Sequence, residues 1–301
     1  MSNQAMKKNV GSMLVVLAAS VVAAVLVMGP MPLTGQQGPA KGAPGKGGKE
    51  APPPGPVPRT KDGKPDMSGF WGGVTPSAAT AIEPAKGKAA KGKGKNLIVS
   101  PEDGFIPYTA AARAKSDDIV ANRMYLEPEL HCFMSGVPHN MWTQFGQQIF
   151  QTKDTLMIAW EFQHSRRIIP LDGRPHVLPD SVRQFQGEEV GHWEGDTLVV
   201  VTKNQTDRTW FDTSGRYAPK DIEVTERFTM INANQIQYEA TVTSATEFTG
   251  PMKLAGVINR AETNNPTYEQ MEFACIEGNQ DLEHYTQDKG GKAKNVGART
   301  K

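Results

Sequence analysis

The sequence predicts a mainly β protein: an antiparallel up-and-down barrel or a strongly curved sheet, lipocalin-like in size, with one N-terminal helix. Three observations predict it. Beyond Gln148 apolar residues recur at every second position, as strands with one buried face require. The segments between them are turn chemistry: "LDGR", "WEGDT", "TSGR" and "TGP". Finally, some eight antiparallel strands with short connections leave unprotected edges unless the sheet closes on itself. A two-sheet sandwich meets the same pattern and stands as the alternative.

In chain order, Lys7 and Lys8 precede an uncharged apolar run from Met13 to Val27. The run has the length of a signal-peptide core and falls short of the roughly 20 residues of a membrane span. Residues 1–34 are read as a signal peptide, with an uncleaved N-terminal anchor as the alternative. No Cys follows the run, which excludes a lipoprotein anchor. Either way the rest is expected to be extracytoplasmic, periplasmic or secreted. Residues 35–58, "GQQGPAKGAPGKGGKEAPPPGPVP", hold too little apolar surface to offset the entropy of ordering and are expected to be a flexible tether. A single β-rich domain is expected over 59–285, with a lysine-rich loop at 83–96 and a disordered tail at 286–301.

The helix is "TAAARAKSDDIVANRM", Thr109 to Met124, rich in Ala and placed just after Pro107. Strands are expected at Gln148–Thr152, Thr155–His164, Arg166–Leu171, Thr197–Lys203, Met252–Ile258 and Met271–Ile276. "HWEGDTLVVVT" reads as a hairpin turning at Glu194-Gly195-Asp196. "EVTERFTMI" puts Val224, Glu226, Phe228 and Met230 on one face. "IQYEATVTS" does the same with Ile236, Tyr238, Ala240 and Val242, and "NANQ" joins the two as a hairpin.

With 33 Lys and Arg against 32 Asp and Glu, the formal charge of +1 gives no footing for nucleic-acid binding. Membrane association is expected only through an uncleaved N-terminus. Cys132 and Cys275 are the two cysteines. In an exported chain they suggest one disulfide, the rival being two separate buried thiols. Neither has metal-ligand spacing around it, and the separation of His131 and His139 in a Gly-Pro loop matches no regular metal site. No nucleotide loop, nucleophile elbow or HExxH helix is present, and no cofactor is implied.

The stretches "RTKDGKPDMSGFW", "CFMSGVPHN", "RRIIPLDGRPH", "GHWEGDTLVVVT", "DRTWFD" and "VTERF" together resemble a family of exported bacterial proteins found in acidobacteria and planctomycetes. The likeness runs from about Arg59 to Asp281. The chain departs from the family pattern in the lysine-rich insertion after Trp71 and in carrying Arg166 where an aromatic is usual. The resemblance implies export and a β-rich domain, and assigns no catalytic residues.

Candidate chemistry centres on "WEFQHSRRIIPLDGRPH". Continuous alternation places Leu156, Ile158, Trp160, Phe162, His164, Arg166 and Ile168 on one side. Met157, Ala159, Glu161, Gln163, Ser165, Arg167 and Ile169 fall on the other. The first set is apolar and then cationic, as a barrel wall would be with a packed floor and a polar mouth. Asp172-Gly173 is expected to turn the chain back with His176 near that mouth. The expected function is binding of a small, partly apolar ligand by Trp160, Phe162, His164, Arg166, His176 and Trp210. The alternative is a hydrolase or lyase using His164 with Glu161, Asp172 or Asp207. Against both stands a plain hairpin end meeting solvent.

Overall fold

The first strand shows how local sequence curves this sheet. In β1 (Gly69–Thr75) Trp71 and Val74 point inward, and the register against the last strand shifts between them. The shift falls at Gly72-Gly73. A Cβ on Gly73 would lie 2.6 Å from the Thr143 carbonyl oxygen, so only glycine admits that close approach. Irregularities of this kind bend a strand and increase its twist, which closure demands.

The computed structural model describes residues 55–85, 96–143, 145–261, 267–277 and 279, all within one compact unit, Pro52–Lys301. The expected signal or anchor (1–34) and the tail (286–301) lie outside the described residues. So do most of the tether (35–58) and of the lysine-rich loop (83–96). No helix among the described residues is long and apolar enough to cross a membrane.

Ten strands form one antiparallel sheet. β2 (Ile98–Ser100) adds to β10 (Met252–Arg260) beside the main path. The others are β3 (Gln147–Gln151), β4 (Thr155–Trp160), β5 (Arg166–Pro170), β6 (Glu188–Glu194), β7 (Thr197–Lys203), β8 (Glu223–Asn232) and β9 (Gln235–Thr243). The order β5-β4-β3-β1-β10-β9-β8-β7-β6 is chain order read around a ring. First and last strands pair, Trp71 opposite Arg260, and the break in hydrogen bonding falls mid-chain between β5 and β6. The molecule is therefore a nearly closed up-and-down barrel with a single seam. The sandwich alternative is not adopted.

Period two fills the interior. Leu156, Ile158 and Trp160 from β4 meet Leu198 and Val200 from β7, Val224 and Phe228 from β8, and Ile236 and Tyr238 from β9 in one core. The α-helix α1 (Ala110–Asn122) begins where Pro107 permits, capped by the Thr109 hydroxyl, which accepts from the Ala112 amide. Its spacing buries Ala112, Ser116 and Ile119 on one side.

Four expectations are corrected. The strand expected to run to His164 stops at Trp160, because Gln163 (φ 57°) and His164 (φ 49°) adopt left-handed backbone in a tight turn. Ala159 then pairs with Arg166 and Ile158 with Arg167, and cross-strand partners share a face. Arg167 and Ile169 point inward while Arg166 and Ile168 point out, so the single face running from Trp160 through His164 to Ile168 does not exist. Asp172-Gly173 does not return the chain to a paired strand; Asp172 instead binds Arg174, and no strand follows until Glu188. Residues 271–276 form no strand, and the apolar residues at the two ends, Met271 and Ile276, stay largely exposed. Their segment is held by side chains: Glu161 accepts from the Tyr268 hydroxyl (3.0 Å) and the Met271 amide (2.6 Å), and Gln270 donates to the Ala159 carbonyl (2.8 Å). Finally, β1 and β2 form strands that the Gly-rich and lysine-rich sequence around them obscured.

Candidate functional site

The seam between β5 and β6 is closed by side chains instead of a ladder. At one end Ile169 and Leu171 pack on Gly191, where an added Cβ would lie 2.7 Å from Leu171 Cδ2. Further along, the inward Arg167 spans the gap. Its Nε donates to Glu189 Oε1 of β6 at 2.6 Å, and its terminal nitrogens make a forked pair with Glu226 of β8. The Tyr238 hydroxyl of β9 donates to Glu226 Oε1 (2.9 Å) and the Thr202 hydroxyl of β7 to Glu189 Oε1 (3.3 Å). Arg167 is 1 % exposed and Glu226 fully buried. Burial opposes the charge on Arg167, yet Glu189 and Glu226 hold its protonation above the ordinary arginine range. Burial pushes the Glu189 carboxyl up, against the pull of Arg167. These groups clamp five strands, β5 to β9, across the seam.

Outside the clamp, the seam opens into a cleft of about 460 Å³. The outward residues of β5, Arg166, Ile168 and Pro170, form one wall, with Glu188 and Val190 of β6 beside them. The connection between the strands supplies the other wall through Arg174, Pro175, Val177, Leu178 and Gln184–Gly187, together with Met134. Arg167 and Glu189 lie at the base. Glu188 accepts from the amides of Val177 (2.6 Å) and Leu178 (3.0 Å), and His176 Nδ1 sits 3.4 Å from its other oxygen. Arg174 is paired with Asp172 at 2.5 Å, and that pairing lowers the Asp172 carboxyl to about 2. The Arg166 side chain is exposed and makes no hydrogen bond or ion pair among the described residues.

Of the residues expected to bind ligand, Arg166 lines this cleft and His176 stands beside it through Glu188. Trp160 and Trp210 are buried in the core. Phe162 stacks on Phe145 (5.4 Å) and tilts against Phe273 (4.9 Å) of the C-terminal segment. His164 is exposed, and no side-chain hydrogen bond or ion pair joins it to Glu161, Asp172 or Asp207. Glu161 is engaged by Tyr268 and Met271, Asp172 by Arg174, and Asp207 is exposed. The group proposed for acid–base chemistry is thus not assembled by contact.

Residues that sequence reasoning did not bring together are Arg167, Glu189, Glu226 and Tyr238. One signal was present: Glu226 interrupts the apolar face Val224–Phe228–Met230, and a carboxylate there needs a buried cation.

A second polar cluster lies under the "CFMSGVPHN" stretch. Glu127, 3 % exposed, caps the 3₁₀ turn Pro128–His131 by accepting from the Leu130 amide (2.8 Å). Glu129 accepts from the Ser135 hydroxyl (2.7 Å) and lies 3.7 Å from His139 Nε2. Asp212 accepts from the amides of Ile82, Ser214 and Arg216. No Lys or Arg side chain bonds to these three carboxylates among the described residues. Burial therefore raises Glu127 to about 8 and Glu129 to about 7, raises Asp212, and lowers His139 to about 4. Among the described residues no three His, Cys, Asp or Glu are arranged to hold a metal ion.

Cys132 and Cys275 are joined, Cα atoms 5.7 Å apart, tying the C-terminal segment to this loop. At the opposite end of the sequence, Arg59 forks onto Asp196 (2.6 Å to each oxygen) and Lys64 donates to the Gly195 carbonyl. The "RTKDGK" and "WEGDT" motifs thus dock on each other. Comparison with protein-family models, curated proteins and solved structures finds no match to this chain.

Proposed function

We propose that this is an exported barrel domain whose seam cleft binds a small, partly apolar ligand. The cleft itself carries the reading. Its volume lies in the range of small-molecule sites, roughly 300–1,000 Å³, and its lining joins aliphatic walls to a few polar groups. Among the described residues the inward side chains form one hydrophobic core, whereas the seam cleft is open. Export is supported by the cationic and apolar N-terminal stretch, by the resemblance to exported bacterial proteins, and by a disulfide suited to an oxidising compartment. Native mass spectrometry of protein recovered from its source cells tests the reading. A small-molecule adduct present in the wild type and lost in Ile168→Asp is expected. Absence of any adduct, with no thermal shift from a library of small amphipathic compounds, overturns it.

A further inference from the structure

The cleft's charges are unequal in one respect. Arg167 is matched by Glu189 and Glu226, Arg174 by Asp172, and Glu188 by two backbone amides and His176. Arg166 alone among the charged lining residues has no partner among the described residues. The exposed Arg166 guanidinium is matched by a negatively polarised oxygen.

The apolar side of the cleft continues onto the outer face of the sheet. Ile168 pairs with Met157 and Met157 with Phe150, so three large side chains form a ladder across β5, β4 and β3. Ile168 is 58 % and Phe150 42 % exposed, on a face that antiparallel sheets normally leave to polar residues. Arg166 stands one pair along, opposite Ala159, at the head of this stripe.

We infer that the ligand is an amphipathic organic carboxylate, its head on Arg166 and its hydrocarbon body running along Ile168 toward Met157 and Phe150. The inference rests on the cleft being the ligand site. A planar guanidinium matches a carboxylate by a forked pair of charge-assisted hydrogen bonds. The wall formed by the β5–β6 connection favours a single bound molecule over a flat membrane surface.

Calorimetry on the full chain with octanoate and its matched alcohol, 1-octanol, separates the two levels of the argument. Octanoate is expected to bind about ten-fold tighter than the alcohol, a gap that Arg166→Ala closes by weakening octanoate alone. Arg166 is exposed on an outer face, so the variant retains the fold. Equal affinity of acid and alcohol, or an Arg166→Ala protein that still prefers the acid, overturns the carboxylate inference and leaves the cleft reading standing. Binding of neither compound overturns both. Laurate probes the stripe: Phe150→Ser is expected to weaken laurate and spare octanoate, and unchanged laurate binding removes the stripe from the site.

Discussion

The seam clamp and the polar cluster beneath the disulfide loop treat buried charge in opposite ways. At the seam, two buried carboxylates share one guanidinium, whose protonation they hold up against burial. Beneath the disulfide loop, Glu127, Glu129 and Asp212 have no Arg or Lys bonded to them among the described residues, and burial raises all three carboxyls while it lowers His139. The difference teaches that burial alone does not decide ionisation. The partner does, and the two clusters should respond to different perturbations: the first to removal of one side chain, the second to pH.

The largest effect is expected from Arg167→Met. It leaves Glu189 and Glu226 buried without their cation and breaks the clamp across the seam, so it should cost about 3–5 kcal/mol in denaturant unfolding. Adding Glu189→Gln and Glu226→Gln to that variant should recover part of the loss. Full stability of Arg167→Met alone would show that the seam needs no ionic clamp.

A smaller effect separates the clusters by pH. Folding raises Glu127 from its ordinary 4.5 to about 8 and Glu129 to about 7, so the folded state keeps protons that the unfolded chain has released. Stability from these groups therefore falls as pH rises from about 4.5 to 8. His139, lowered from 6.5 to about 4, acts oppositely and costs stability as pH falls through that interval. Above about pH 6.5 only the acids operate, and Tm should decline toward pH 8.5. Glu127→Gln keeps the cap to Leu130 but cannot ionise. It should raise Tm by about 2–4 °C near pH 9 and change it little near pH 5. An unaltered pH profile in this variant would mean the carboxyl is ionised in the fold.

The smallest effect sharpens the contrast within one strand. Arg166→Ala should shift stability by no more than about 0.5 kcal/mol, although its neighbour Arg167 is among the most costly side chains to remove. A large loss from Arg166→Ala would mean that β5 does not have the phase described.

That phase marks where sequence reading stopped. The β8–β9 hairpin was legible because uninterrupted alternation on both sides of "NANQ" leaves one consistent facing. The helix was legible from Ala content and a Pro at the right distance. The β4–β5 turn was not, because the residues with left-handed backbone, Gln163 and His164, are neither Gly nor Asn, and nothing in "EFQHSR" announces a reversal. One unrecognised turn sent Arg166 inward and Arg167 outward on paper. The cleft was out of reach for another reason: it exists because β5 and β6 fail to pair, and an absent ladder leaves no periodic trace. Within the site, Arg166 was named for the right stretch but on a face it does not occupy.

The pairing of the first strand with the last carries a kinetic consequence. Strands β6 to β10 form a meander of neighbours, and so do β3 to β5, each able to assemble from contacts close in sequence. β1 has one such neighbour in β3, but its other edge needs β10, with Trp71 waiting for Arg260. In a chain that emerges from its N-terminus, β1 leaves the exit long before its second partner exists. The closing step carries most of the loop entropy, so high contact order and slow final closure are built into the order of strands. A chain halted before β10 would hold two part-sheets and a bare apolar edge, the kind of species that chaperones bind.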